Sequence, residues 1–180
     1  MPFFDVGGAV NEFELTPNMP RPLTVSILDK AREREGRTTA VLVAAFGYRD
    51  DAEKLEVVVP EQFWTDFASI PGWARAVVSP FGRHAKAAVL HDWLYAVGEP
   101  GRKDVADRIF NNAMKELELE DWIRELMYGA VSIGGGDAYS RAAAEWSDTF
   151  ADPITGNAVS PLFDRTEAYV GKPHGARPLP

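Results

Sequence analysis

The stretch Gly82-Arg83-His84-Ala85-Lys86-Ala87-Ala88-Val89-Leu90-His91-Asp92-Trp93-Leu94-Tyr95-Ala96-Val97-Gly98-Glu99-Pro100-Gly101 decides how the rest of the chain is read. Its Ala- and Leu-rich body, Ala85 to Val97, is closed by a Gly-Glu-Pro-Gly breaker, which predicts a helix with a hard stop. Upstream the pattern is of strands. Leu23 to Leu28 alternates apolar and polar in its first five positions, Thr38 to Tyr48 is β-branched and apolar, and Lys54 to Pro60 ends on a residue that cannot donate to a ladder. Three antiparallel strands are the expectation. The charged segment Asp29 to Arg37 reads as a solvated hairpin connection, because Glu33 and Glu35 interleave with Arg32, Arg34 and Arg37.

Downstream the helical period continues. Val105, Ala106, Ile109, Phe110, Ala113, Met114 and Leu117 recur at three- and four-residue spacing, predicting an amphipathic helix over Lys103 to Leu117, with Asp104 and Asp107 in a first turn that favours acids. A third helix is expected from Asp121, burying Trp122, Ile123, Leu126, Met127, Ala130 and Val131 and stopped by Gly134-Gly135-Gly136; a fourth, short one runs from Asp137 to about Trp146. After Asp148 come Pro153, Pro161, Pro173, Pro178 and Pro180 with little periodicity. The expected fold class is α+β: one domain, residues 1–150, made of a small antiparallel sheet followed by a three- to four-helix bundle packed on it. An extended Pro-rich tail, 151–180, is stable only against its own domain or a partner.

Composition removes whole classes of function. The 180 residues, 46% hydrophobic, suffice for one core plus irregular chain. The longest apolar run, Ala40 to Phe46, is far short of a membrane span. Asp5, Glu12 and Glu14 stand where a signal peptide would be basic and then greasy, so the expectation is no membrane, no signal peptide, and a cytosolic or particle-bound protein. The absence of cysteine excludes disulfides, thiolate zinc and cysteine nucleophiles. A net charge of −8 is the wrong sign for binding phosphates, so no nucleic-acid partner is expected.

Two stretches place polar groups inside apolar sequence. In the first, Asp66 and Ser69 lie among Phe63, Trp64, Phe67 and Ile70 ahead of Pro71. Capping and turn bonds account for them structurally; a carboxylate held by packed aromatics is, alternatively, a preorganised ligand or base. In the second, His84, Ala88, His91 and Tyr95 share one helix stripe with Asp92 at its edge. His84 and His91, about 10 Å apart along the axis, cannot easily share a metal. His91 and Asp92 with Asp66 or Asp107 would make an oxygen-rich site suited to a divalent Mg²⁺ or Mn²⁺ ion. The residue types also allow a Ser69, His91 and Asp66 triad, although no Gly-x-Ser-x-Gly elbow surrounds Ser69. Because burying either alone is costly, Asp66 and His91 are expected to approach each other. Gly134-Gly135-Gly136-Asp137 lacks the Lys-Ser/Thr of a phosphate loop and reads as a helix stop.

Four blocks in order carry a family resemblance: Thr65-Asp66-Phe67-Ala68-Ser69-Ile70-Pro71; Lys86 to Tyr95; Arg102 with Ala106-Asp107-Arg108-Ile109-Phe110; and Met127-Tyr128-Gly129-Ala130-Val131. Over roughly Val41 to Gly136 the chain resembles the domain-of-unknown-function family number 1353. The resemblance implies an origin in tailed bacteriophages or prophages, no particular reaction, and signature positions Asp66, Ser69, Pro71, His91, Asp92, Tyr95 and Asp107. Two functional expectations stand side by side. One is a virion or tail-associated protein in which these residues form a structural network, with the tail attaching it to other phage structural proteins. The other is a small metal-assisted hydrolase of cell wall or phosphoesters using Asp66, His91 and Asp92, supported by Ser69, Tyr95, Asp107 or Arg83.

Overall fold

The structure, a computed structural model, describes residues 2–6, 22–27, 39–67 and 82–180. The expected connection Asp29 to Arg37, and Ser69 and Pro71, lie outside the described residues. The strands are β1 (Phe3–Asp5), β2 (Val25–Ile27), β3 (Ala40–Leu42), β4 (Phe46–Asp50), β5 (Leu55–Val59) and β6 (Trp64–Thr65). They are followed by helices α1 (Ala85–Val97), α2 (Lys103–Glu116) and α3 (Asp121–Ala144), and the chain ends in β7 (Arg177–Pro178). The α+β class stands, with two antiparallel sheets of order β1-β4-β5-β7 and β2-β3-β6.

The single strand expected over Thr38 to Tyr48 is two strands. Ala40–Leu42 pairs with β2 and β6, whereas Phe46–Asp50 pairs with β1 and β5. All three β3 residues are buried, so this strand is covered on both faces, and Val43, just beyond it, is exposed. The run is uniformly apolar because each half faces a core, and nothing in that composition marks where it changes sheet. The β4–β5 ladder, from Phe46↔Val59 to Asp50↔Leu55, carries Phe46, Tyr48, Leu55, Val57 and Val59 into the core. Gly47 is required there, since a Cβ would overlap the Phe4 ring.

Nearly all of α1 is inside. Ala87, Ala88, Val89, Leu90, His91, Trp93, Tyr95, Ala96 and Val97 are buried, which is why it is apolar around most of its circumference. Gly98 ends it in the left-handed conformation (φ +52°), its N–H bonded to the Leu94 carbonyl. The amphipathic α2 buries Ala106, Asp107, Ile109, Phe110, Ala113 and Met114. Asp107 is thus beyond the first turn and faces inward; the acid in that turn is Asp104.

Two expectations for α3 are corrected. It runs unbroken through Gly134-Gly135-Gly136 to Ala144, so the expected stop and separate fourth helix are one continuous helix ending in a 3-10 turn, Trp146–Asp148. Trp122, expected inside, is 51% exposed; the buried positions are Met127, Val131 and Gly135.

The C-terminal segment has little regular structure but lies on its own domain. Phe150 and Ala151 bridge to Phe63 and Ala158, β7 adds to the edge of β5, and Ala168 and Ala176 join the core. Trp93, Trp146, Phe150 and Phe163 stack edge-on or tilted, and His174 lies flat on Phe163 at 4.0 Å. Arg165 donates to the Val97 and Gly98 carbonyls, placing a cation on the C-terminus of α1 where the helix dipole favours it. The segment therefore takes part in core packing, and the prolines punctuate a wrap around the domain.

Candidate functional site

Asp107 is the centre of the polar cluster. It projects from the buried face of α2, is 2% exposed, and would be costly there without compensation. Three donors converge on it. His91 Nε2 lies 3.0 Å from Oδ1, the Tyr95 hydroxyl donates to the same oxygen at 2.8 Å, and the Lys103 ammonium donates to Oδ2 at 2.7 Å. The first two come from α1, one turn apart on one stripe; Lys103 is one turn before Asp107 on α2. The ammonium also donates to the carbonyl oxygens of Val131 at 3.1 Å and Ser132 at 3.4 Å, so one cation ties α2 to α3.

The surroundings are aromatic and dry. His91 is 2% exposed, with the Tyr95 ring 4.1 Å from its own and the Phe110 ring at 4.6 Å. Burial pushes the His91 pKa below its ordinary value, against the opposing pull of Asp107, so the imidazole is neutral and its Nε2 hydrogen points at the carboxylate. Burial pushes the Asp107 carboxyl up, but hydrogen bonds from His91, Lys103 and Tyr95 outweigh it and hold the pKa below the usual carboxylate value. Tyr95 is pushed well above the ordinary phenol range by burial and by its bond to Asp107, so it is a fixed hydrogen donor.

Gly135 makes room for this arrangement. A Cβ there would fall on the Tyr95 hydroxyl and lie 3.0 Å from Lys103 Cε. Gly134 and Gly136 have nothing within 4 Å of the corresponding point. The triple glycine is thus one structurally demanded glycine flanked by two that the fold leaves open.

A second contact spans the strand-to-helix junction. The Thr65 hydroxyl donates to Asp92 Oδ2 at 2.5 Å and accepts the Phe67 N–H at 3.2 Å. Phe67 is fully buried and left-handed (φ +51°), a conformation that costs an ordinary residue about 1–2 kcal/mol. The Thr65 bond helps fix it. Asp66 is half-buried immediately after Thr65. A tie from sheet to α1 therefore runs between Thr65 and Asp92, the chain neighbours of Asp66 and His91, and His91 also meets Asp107. His84 is buried one turn before Ala88, and Arg83 is exposed. Lys103 and Gly135 escaped the sequence reading, although the four-residue spacing of Lys103 and Asp107 was a usable signal.

Among the described residues no group of three or more His, Asp or Glu side chains is placed to hold a metal ion. The physical reason is visible at Asp107, whose two oxygens already face a ring nitrogen, a hydroxyl and an ammonium.

An α+β domain whose sheet is followed by three helices locked around a buried carboxylate is the class that fold and site define. Residues 40–131 match the family described as "Protein of unknown function (DUF1353)", just over half of the 180 residues, and the chain belongs to that family. No curated protein and no solved structure matches the chain.

Two expected outcomes follow from this geometry. Gly135→Ala should destabilise the protein although alanine favours a helix interior by about 1 kcal/mol, whereas Gly134→Ala and Gly136→Ala should be neutral or stabilising by up to about that amount; urea unfolding of the three variants checks the opposite signs. Acid should weaken the fold in two stages. His91 has a lowered folded pKa, so its contribution falls as pH drops below about 6.5, where the unfolded histidine takes up a proton. Asp107, also lowered, adds its loss below the unfolded carboxylate value of about 3.8. Stability measured between pH 8 and 5 should fall in the wild type, and His91→Gln should remove the part of that slope belonging to one proton.

Proposed function

We propose that this protein is a non-catalytic, bacteriophage-derived virion or tail-associated component whose Asp107, His91, Tyr95 and Lys103 cluster serves as a folding lock. The observation that carries this reading is the closure of the cluster. A catalytic carboxylate or imidazole must offer an open position to substrate or water. Here the Asp107 oxygens are occupied by three donors, and both Asp107 and His91 are sealed from solvent. The phage setting is taken from what the sequence resemblance implies, and the net charge of −8 argues for protein partners over nucleic acid. Attachment to other phage structural proteins through the C-terminal segment belongs to the same proposal, by way of its exposed positions such as Ile154 and Leu162.

The competing reading, a metal-assisted hydrolase acting on cell-wall polymer or a phosphoester, needs His91 or Asp92 to face a ligand. The direct experiment is turnover of purified peptidoglycan and of bis-p-nitrophenyl phosphate by the whole chain, with and without added Mg²⁺ or Mn²⁺. The expected result is no activity above that of Asp107→Asn and His91→Gln preparations. Metal-dependent turnover that disappears in His91→Gln while that variant stays folded would replace the structural reading with the enzymatic one.

A further inference from the structure

Beneath the C-terminal segment the domain keeps a largely apolar cavity of about 30 Å³. Its floor is Leu55 and Val57 of β5, Val97 of α1 and Ile109 of α2, and Ala168 and Ala176 of the C-terminal segment close it; all six are buried. The turn before Ala176 is tightly held. Gly171 donates its N–H to the Ala176 carbonyl at 2.8 Å, and a Cβ on Gly175 would overlap the Tyr169 carbonyl. Two alanines at core positions therefore leave a void where larger side chains would pack, and a void weakens a fold. Its hydrocarbon floor offers water no partner, so the space suits an aliphatic group.

The rim is polar. Glu99, Arg102 and Tyr139 line it, each half-buried. Two of them are already engaged: the Tyr139 hydroxyl donates to the Glu99 main-chain carbonyl at 2.6 Å, and the Glu99 carboxylate accepts the Val170 N–H at 3.0 Å. Arg102 is different. Its side chain is 41% exposed, its guanidinium makes no hydrogen bond among the described residues, and its approach to the Glu99 carboxylate is 3.9 Å. Arg165, bonded to the carbonyls of Val97 and Gly98, brings a second cation to this end of α1. The positive end of the α2 dipole, which begins at Lys103, adds to both. On a chain of net charge −8, a rim with two arginines to one glutamate favours an anion.

We infer that this cavity is a binding site for a small carboxylate on a short branched aliphatic chain. The chain lies against the two alanines, and the carboxylate sits on the Arg102 guanidinium, whose planar fork of donors matches it. A space this small admits the end of one short chain and excludes rings and long acyl tails. Tyr139, Ala168 and Ala176 lie beyond residues 40–131, so the site is built by the C-terminal part of this chain together with the family domain. None of its lining residues belongs to the Asp107 cluster, and the inference is independent of the structural reading proposed above.

The test is a methyl-resolved NMR titration of the full chain with isovalerate at fixed ionic strength. Acetate, isoamyl alcohol and isoamylamine serve as probes that lack the chain, lack the charge or reverse its sign. Isovalerate should shift the Val97, Ile109, Ala168 and Ala176 methyl signals saturably, with a dissociation constant on the order of 1 mM for so small a ligand. Acetate and isoamylamine should leave them unmoved. The alcohol should bind about fivefold more weakly than the acid, the worth of one half-exposed ion pair. Arg102→Gln should bring the acid down to the alcohol's affinity without changing the alcohol's. Ala176→Leu, which fills the void, should abolish binding of both while preserving or raising the thermal midpoint, and Ala168→Val takes its place if the leucine variant does not fold. Acetylglycylvaline presents the same groups at a chain end: tighter binding than isovalerate assigns the carboxylate to a peptide C-terminus, and weaker binding assigns it to a free acid. The inference is overturned if the four methyl signals ignore isovalerate, if acid and alcohol bind alike and Arg102→Gln changes nothing, or if a folded, cavity-filled variant still binds. Turnover at the Asp107 cluster would overturn the structural reading and leave this site standing, so the two failures are separable.

Discussion

Burying one carboxylate sets the terms for most of this domain. Asp107 lies on the inward face of α2, in a medium where an uncompensated charge is costly. Its compensation requires α1 to present His91 and Tyr95 one turn apart, and requires Lys103 to reach back along α2. Because the same ammonium also takes two carbonyls of α3, the third helix is held to the pair by the group that neutralises the charge. Such networks specify one arrangement among many compact ones when every member is satisfied, and are costly when one is missing. The pattern here is the satisfied kind, which is why the structural reading of the cluster is preferred to a catalytic one.

The consequences run outward from that point. Tyr95 and Lys103 need space against α3, and Gly135 supplies it. The Thr65 bond to Asp92 fastens the other side of α1 to the sheet, so α1 is gripped from two directions by polar contacts within an otherwise apolar environment. The C-terminal segment then closes over the far end of α1, with Arg165 on its last carbonyls and Tyr139 of α3 donating to the Glu99 carbonyl at 2.6 Å.

The helices were legible because burial imposes a period: the Ala106, Ile109, Phe110 and Ala113 stripe and the Gly98 stop both read correctly. So did the shared stripe of His91 and Tyr95, and Asp107 stood among the supporting residues. The sheets were less so, because an apolar run such as Ala40 to Phe46 looks the same whether it stays in one sheet or crosses to another. Gly134-Gly135-Gly136 read as a stop because glycine's cost to a helix is local, while what offsets it, contacts from Lys103 and Tyr95, comes from distant residues. Trp122 reads as an interior residue by type; its place on the helix side opposite Met127 and Val131 puts it outside. The closed character of the site was likewise beyond reach, since it depends on which oxygen each donor meets.

The central claim is that the Lys103 ammonium and the Asp107 carboxylate exist for each other. A double-mutant cycle in equilibrium urea unfolding tests it, with Asp107→Asn, Lys103→Met and the two combined. Asp107→Asn alone should cost about 3–5 kcal/mol, because it leaves a cation against helix carbonyls without its counter-charge. Adding Lys103→Met should return part of that loss, giving a coupling of at least about 1 kcal/mol. Simple additivity of the two single changes would contradict the account.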